Sequence, residues 1–208
     1  RGKKVVLVNG GRLGGTCLNA GCIPTKCMVK DAAVVSLCRN SEEFGVKEVK
    51  YEIDFNRVIE RRTRVVDQLR EGIAGLLKKA GVTVVEGHAR FKDSVTVTVD
   101  TEEYSADNII IATGSESKAL PIPGADAEWV LDSTGILNLE YIPASLVIVG
   151  GGVIGLEFAS VFNAFGSEVT VIEFMKNIAP TFDSDISKRL KQSLSKRGVK
   201  VLTGAAVK

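Results

Sequence analysis

The chain has 208 residues, enough for one large domain or two small ones with a sizeable core. Hydrophobic residues make up 45% and charged residues 25%, an ordinary globular balance that excludes disorder. The net charge of +2 comes from interspersed basic and acidic side chains, which gives no electrostatic case for nucleic acid or a membrane surface. No apolar run approaches the roughly 20 residues that span a bilayer. Four cysteines in a chain of this length do not make a secreted disulfide scaffold, so an intracellular protein is expected.

The predicted elements alternate between strands and helices, with one β-rich interlude. Arg1-Gly2-Lys3-Lys4 followed by Val5 to Val8 imitates a leader peptide, but the apolar run is too short and reads as a buried strand. A helix is expected after Pro24, with Met28, Val29, Ala32, Ala33, Val35 and Leu37 on one broad apolar face. After a polar break around Asn40 to Glu52, Val58, Val65, Val66, Leu69, Ile73, Leu76 and Leu77 recur at three- and four-residue steps. That spacing marks an amphipathic helix, which stops at Gly81. Short strands follow at 82–85, 89–91, 95–99 and 108–111. The proline-bearing segment 115–145 reads as a loop joining two halves. Beyond it, strands at 146–149, 168–173 and 199–203 alternate with helices at 153–165 and 186–197, a βαβαβ run.

Two motifs carry chemistry. The first is Gly14-Gly15-Thr16-Cys17-Leu18-Asn19-Ala20-Gly21-Cys22-Ile23-Pro24-Thr25-Lys26. In a regular helix, residues five apart are too distant and poorly aligned for a disulfide. Cys17 and Cys22 can close only where the backbone is irregular, and Gly21 supplies that freedom. A small strained ring is easily reduced, which suits a bond that carries electrons. Cys27 and Cys38 read as ordinary thiols.

The second motif is Gly150-Gly151-Gly152-Val153-Ile154-Gly155, a G-x-G-x-x-G that leaves an apolar strand and opens a helix. Glycines there permit a tight turn, close backbone approach to a pyrophosphate and close helix–strand packing, while the helix N-terminus offers N–H groups to phosphate. The next strand ends in Glu173, about 20 residues on, where a carboxylate accepts bonds from ribose hydroxyls and repels a 2′-phosphate. NAD is therefore favoured over NADP.

Together these residues resemble the class I pyridine nucleotide–disulfide oxidoreductases, most closely the dihydrolipoamide dehydrogenase branch, across essentially the whole chain. Gly14 to Lys26 is similar to that family's redox motif almost letter for letter. Ile111-Ala112-Thr113-Gly114 resembles the segment where the chain leaves the FAD domain beside the flavin. The resemblance implies an α/β protein. Residues 1–118 would form part of a FAD-binding Rossmann-like domain with a β-meander, and 119–208 a linker and part of a NAD-binding Rossmann-like domain.

It further implies FAD and NAD as cofactors, with Cys17 as the interchange thiol and Cys22 as the flavin-proximal one. Asn9, Gly15, Thr16, Lys26, Ala89, Ala112, Thr113 and Gly114 would lie on the FAD side. Gly150, Gly152, Val153, Ile154, Gly155, Glu173 and Val207 would lie on the NAD side, and Glu157 near nicotinamide and flavin. Lys26 would stabilise negative charge on the reduced flavin. The implied substrate is a small dithiol or disulfide such as lipoamide, with glutathione or mercuric reductases as the alternative. A homodimer, association with a 2-oxoacid dehydrogenase complex, and a cytoplasmic or mitochondrial matrix location follow from the same likeness. No metal site is assigned.

The departures set further expectations. The family's first G-x-G-x-x-G and the preceding strand are absent, and Asn9 stands where an acid grips the FAD ribose. Family members continue into an interface domain whose His-Glu pair serves the interchange thiol, which this sequence lacks. An internal fragment is expected, one that either works with missing pieces or is an inactive dinucleotide-binding remnant. His88, the sole histidine, reads as a structural or surface residue.

Overall fold

The computed structural model describes residues 2–207, so Arg1 of the basic opening and Lys208 lie outside it. The alternation of strands and helices is present. Strand β1 (Val6–Asn9) runs into the cysteine segment, where α1 (Gly15–Ala20) and α2 (Cys22–Arg39) follow with Gly21 between them. The long helix α3 (Phe55–Lys79) leads to β2 (Thr83–Glu86), which pairs in parallel with β1. Strands β3 (Ala89–Phe91), β4 (Thr96–Val99) and β5 (Glu102–Ser105) form an antiparallel meander. An irregular segment then leads to β6 (Ser145–Val149), α4 (Val153–Phe165), β7 (Glu168–Glu173), α5 (Ser184–Lys196) and β8 (Lys200–Thr203). Its three strands form a parallel sheet in the order β6-β7-β8, the βαβαβ arrangement expected.

The chain divides into two compact units. One holds the residues up to Ile23 together with Arg64–Glu116, the other Pro24–Thr63 together with the chain from Ser117. Helices α2 and α3 therefore contribute to both.

The first unit buries Leu18 of α1, Val66 of α3 and Val99 of β4. The second has the larger core. Its helix α4 is apolar almost all round and accordingly sunk on most sides, with Ala159 and Phe162 fully inaccessible. Val169 and Val171 of β7 and Leu194 of α5 close over it, and Met28, Ala32 and Phe55 join the same cluster. Phe165 meets Phe55 and Phe162 edge to face, with ring centres 5.9 and 6.3 Å apart. Gly166 ends α4 at φ 109°. Its N–H reaches Asn163 O and that of Ser167 reaches Phe162 O, so the last carbonyls are satisfied.

Three expectations are corrected. Asn108–Ile111 is not a strand, and the meander's third strand is Glu102–Ser105 instead. Asp100, at φ 50°, turns the chain back within two residues, so β5 takes the place beside β4 at once. Asn108–Ile111 pairs with none of the described strands, and Ile110 stands 89% exposed. Helix α2 begins at Cys22, ahead of Pro24, because a proline in the first turn removes an N–H that has no helical partner anyway. The apolar faces are also narrower than the pattern suggested. Met28 and Ala32 are buried and Val35 half-buried on one stripe, while Ala33 and Leu37 lie outside it and are exposed. Leu69 and Leu76 of α3 are exposed in the same way.

Phe162→Ala removes the largest of the fully buried side chains and should cost about 3–5 kcal/mol of stability. Urea unfolding monitored by circular dichroism checks this, and a loss below about 1 kcal/mol would show that α4 is not the core element.

Candidate functional site

The redox segment belongs to the first unit. Gly14 takes φ 103° ahead of α1, and a side chain there would strike Leu18, the buried residue of that helix. Gly21 breaks the helical path with φ −141° and ψ −114°. A Cβ at Gly21 would stand 2.9 Å from Thr16 O and 3.1 Å from Cys17 Cα. The backbone just before Cys22 is therefore pressed against the turn that carries Cys17, an approach that only glycine allows. Both cysteines are exposed.

A polar bracket that the sequence reading missed holds this loop. The Asn19 side-chain amide donates to Leu13 O (2.9 Å), Gly15 O (3.0 Å) and Arg12 O (3.3 Å). Its oxygen accepts from Arg70 Nε (3.1 Å) and Nη2 (2.9 Å), and Arg70 is paired with Asp67 at 2.8 Å. The only sequence signal was an asparagine inside a short helix, a residue type that seeks backbone partners. Nothing in the pattern of α3 singled out Arg70.

Also in the first unit, Asn9 pairs with Glu86 at the carboxyl end of the parallel pair β1-β2, the end where nucleotides bind in open parallel sheets. The Asn9 amide donates to Gly11 O at 2.5 Å, and Asn9 O accepts from the Gly87 N–H at 3.1 Å. The His88 ring lies over Gly10, where a Cβ would sit 2.6 Å from its Cε1, so this histidine packs against the turn. Ala89 follows as the first residue of β3. Gly15 and Thr16 are exposed at the start of α1, and Ala112, Thr113 and Gly114 lie in exposed irregular backbone.

In the second unit the glycine-rich loop is gripped from below. Glu173, 7% exposed at the end of β7, accepts from the Gly151 N–H through Oε2 and from the Met175 N–H through Oε1, both at 2.6 Å. Gly151 O accepts from the Ala179 N–H at 2.7 Å, and Gly150 N–H is used by Ile172 O at 2.8 Å. A Cβ at Gly151 would stand 2.8 Å from Ile178 Cγ2 and 3.2 Å from the Glu173 carboxylate. Ala179 takes φ 46° while almost wholly buried, a left-handed alanine held by that bond to the loop. At Gly155 a Cβ would come 2.6 Å from Gly150 O, so the last motif glycine permits the helix to lie on the strand.

With the first two N–H groups committed, the donors left for an anion are those of the first turn of α4. Gly152 caps that helix without a side-chain bond, and Val153 and Ile154 are exposed. Glu173 is thus deeper than a surface ribose acceptor, though a carboxylate bound once at each oxygen retains lone pairs for a diol. The backbone after β8 runs beside it, with Ala205 N–H bonded to Glu173 O at 3.1 Å, and half-buried Val207 follows two residues on.

Lys26 of α2 and Glu157 of α4 form an ion pair at 2.5 Å, also within the second unit. Their side chains are 56% and 38% exposed, so the pair adds little to stability and leaves both groups within reach of solvent or a ligand. Cys27 is buried nearby on α2. Burial pushes its thiol above the ordinary value and the Arg61 guanidinium only partly opposes this, which makes it a poor nucleophile. Asp31, bonded to Arg61 at 3.0 Å, is likewise raised by burial. The structure therefore separates the exposed pair Cys17 and Cys22 from a buried, unreactive thiol.

Known proteins resemble the chain over its whole length. A dihydrolipoyl dehydrogenase of Acholeplasma laidlawii is 46% identical over all of this chain and 63% of its own length. One from Bacillus subtilis is 40% identical over 99% of this chain and 46% of its own. The chain thus spans about half to two-thirds of the length of these relatives. Among solved structures, the HOCl-induced flavoprotein disulfide reductase RclA from Escherichia coli superposes with a TM-score of 0.86 at 36% identity, covering all of this chain and 45% of that one. LpdA from Mycobacterium tuberculosis, at 24% identity and a TM-score of 0.88 over 99% of this chain and 46% of its own, shares the fold. The family model for pyridine nucleotide-disulphide oxidoreductases matches residues 1–208, and the chain belongs to that family.

Proposed function

We propose that this chain carries the redox disulfide and dinucleotide-handling parts of a FAD- and NAD(H)-dependent disulfide oxidoreductase of the dihydrolipoamide dehydrogenase type. Residues 1–118 would belong to its FAD-binding domain, and 119–208 to a linker and its NAD-binding domain. The observation that carries the reading is the Gly21 contact, which sets two exposed cysteines on either side of a helix break.

The residues present fit both cofactors. The uncapped first turn of α4 and the close approach at Gly155 suit the NAD pyrophosphate. Glu173 suits the ribose, with Gly150, Gly152, Val153, Ile154 and Val207 lining the same end of the sheet. The carboxyl end of β1-β2, with Asn9 and Ala89, suits the FAD adenosine, with Gly15, Thr16 and Ala112 to Gly114 as further contacts. FAD supplies, when bound, a two-electron relay between nicotinamide and disulfide. Lys26, whose ammonium Glu157 holds, would supply positive charge to the reduced flavin.

The cysteine chemistry is thiol–disulfide exchange. The Cys17–Cys22 bond takes two electrons and two protons to give two thiols. Cys17, as thiolate, attacks one sulfur of the substrate disulfide and releases the other. Cys22 then attacks Cys17 sulfur, which frees the second substrate thiol and restores the bond. With a dithiol substrate the sequence runs in reverse. The name of the dihydrolipoyl dehydrogenase relatives supports lipoamide as the substrate. A homodimer and a 2-oxoacid dehydrogenase complex are the assemblies that the family resemblance proposes. No described helix is long and apolar enough to cross a membrane. A cytoplasmic or mitochondrial matrix location is proposed, the pea relative being named mitochondrial.

A second reading has its own support. The similarity to the Escherichia coli flavoprotein disulfide reductase, at 36% identity over the whole chain, favours a reductase of another disulfide, and glutathione disulfide, a metal ion or an unidentified disulfide are the alternative acceptors to try.

A panel of lipoamide, glutathione disulfide and mercuric ion, offered with NADH to the FAD-supplied protein, separates these readings. Cys17→Ser and Cys22→Ser should each abolish turnover of the preferred substrate, whereas Cys38→Ser should leave it unchanged. Turnover that survives both active-pair changes would end the disulfide reading. Gly151→Ala, which drives a methyl group against Ile178 and Glu173, should weaken NADH binding about tenfold by calorimetry.

A further inference from the structure

We infer that Arg70 is a positioning residue for the Cys17–Cys22 couple and acts through Asn19, an inference that rests on the redox reading proposed above. Asn19 lies between the two cysteines in sequence, and its amide nitrogen faces three carbonyls of the turn into α1, those of Arg12, Leu13 and Gly15. A carboxamide has nearly the same shape when flipped, but its oxygen would then point at those three carbonyl oxygens. Arg70 removes that alternative. Its guanidinium can only donate, and two of its N–H groups converge on Asn19 Oδ1 at 3.1 and 2.9 Å.

The guanidinium is itself fixed. Asp67, one turn earlier on α3, holds Nη1 at 2.8 Å, and the Arg70 side chain is 27% exposed. A stable helix thereby braces a six-residue helix that is far too short to persist by itself. The bracket ends two residues before Gly21, where the backbone presses on Cys17.

This has a redox consequence. Closing a disulfide across residues 17–22 orders the segment between the sulfurs, and a segment already ordered loses less entropy on closure. Removing the brace lowers the effective concentration of one thiol at the other. The couple then shifts toward the dithiol.

The test equilibrates the oxidised full chain with graded dithiothreitol. The protein disulfide gains two electrons and two protons while dithiothreitol closes its own ring. The fractions are read by mass after alkylation, at a temperature where circular dichroism shows every variant folded. Arg70→Ala should shift the equilibrium toward dithiol about fivefold, and Asn19→Ala by a similar factor. The double variant should go no further than the larger single change, since both act on one bracket. Arg70→Gln is a milder second variant with the same expected direction. An equilibrium within about twofold of the parent in the Arg70 variants, or effects that add in the double variant, would overturn the inference. A parent chain that forms no Cys17–Cys22 bond in any buffer would overturn the redox reading along with it.

Discussion

The contact at Gly21 governs the rest of the redox half. Two helical segments meet there with one residue between them, and that residue lies against the backbone of Thr16 and Cys17. A continuous helix would have sent Cys17 and Cys22 to different faces. With the break, the second cysteine starts α2 while the first stays on the exposed turn of α1. The same position explains why so small an element as α1 carries a buried leucine and a bracketed asparagine. Leu18 seats it on the first unit's core, and Asn19 ties it to the turn before it. The backbone is bracketed beside the sulfurs and exposed at them, as the proposed thiol–disulfide exchange would need.

The second unit applies a related principle to a different task. A glycine-rich loop has many conformations, and here the middle peptide is held on both sides, its N–H by Glu173 and its carbonyl by Ala179. The carboxylate is nine-tenths buried with no cation against it among the described residues, and backbone N–H groups bond it instead. A left-handed alanine costs of order 1 kcal/mol, offset by its bond to the loop and by the burial of neighbouring Ile178. The outcome is an uncapped helix start that is already shaped, which would lower the entropic cost of holding the pyrophosphate proposed for it.

Both motifs were legible as sequence because their glycines answer to sterics that spacing alone reveals. The parallel run 145–203 was equally plain, since β6 and β7 are apolar or β-branched along most of their length and α4 is an apolar helix. What escaped the reading depends on neighbours distant in sequence. Asn108–Ile111 has every local mark of a strand but no described partner to pair with, while Glu102–Ser105 is polar and becomes a strand through its hairpin. Arg70 looked like one more helix-surface base until Asn19, fifty-one residues away, gave it a role. Glu173 was recognised as an acid at a strand end, but its burial and double backbone bond were not foreseeable from type and position. The relatives, twice as long in several cases, match across the same stretch, so the likeness holds for the whole described chain.

The measurement closest to the central claim is a map of which cysteines pair when the purified chain is oxidised. After exposure to oxidised glutathione, remaining thiols are alkylated and the digested chain is read by mass spectrometry. The account predicts an intramolecular Cys17–Cys22 bond, with Cys27 protected by burial and no cross-link to Cys38. Cys17 and Cys22 both alkylated under oxidising conditions, or Cys22 joined to another cysteine, would contradict it.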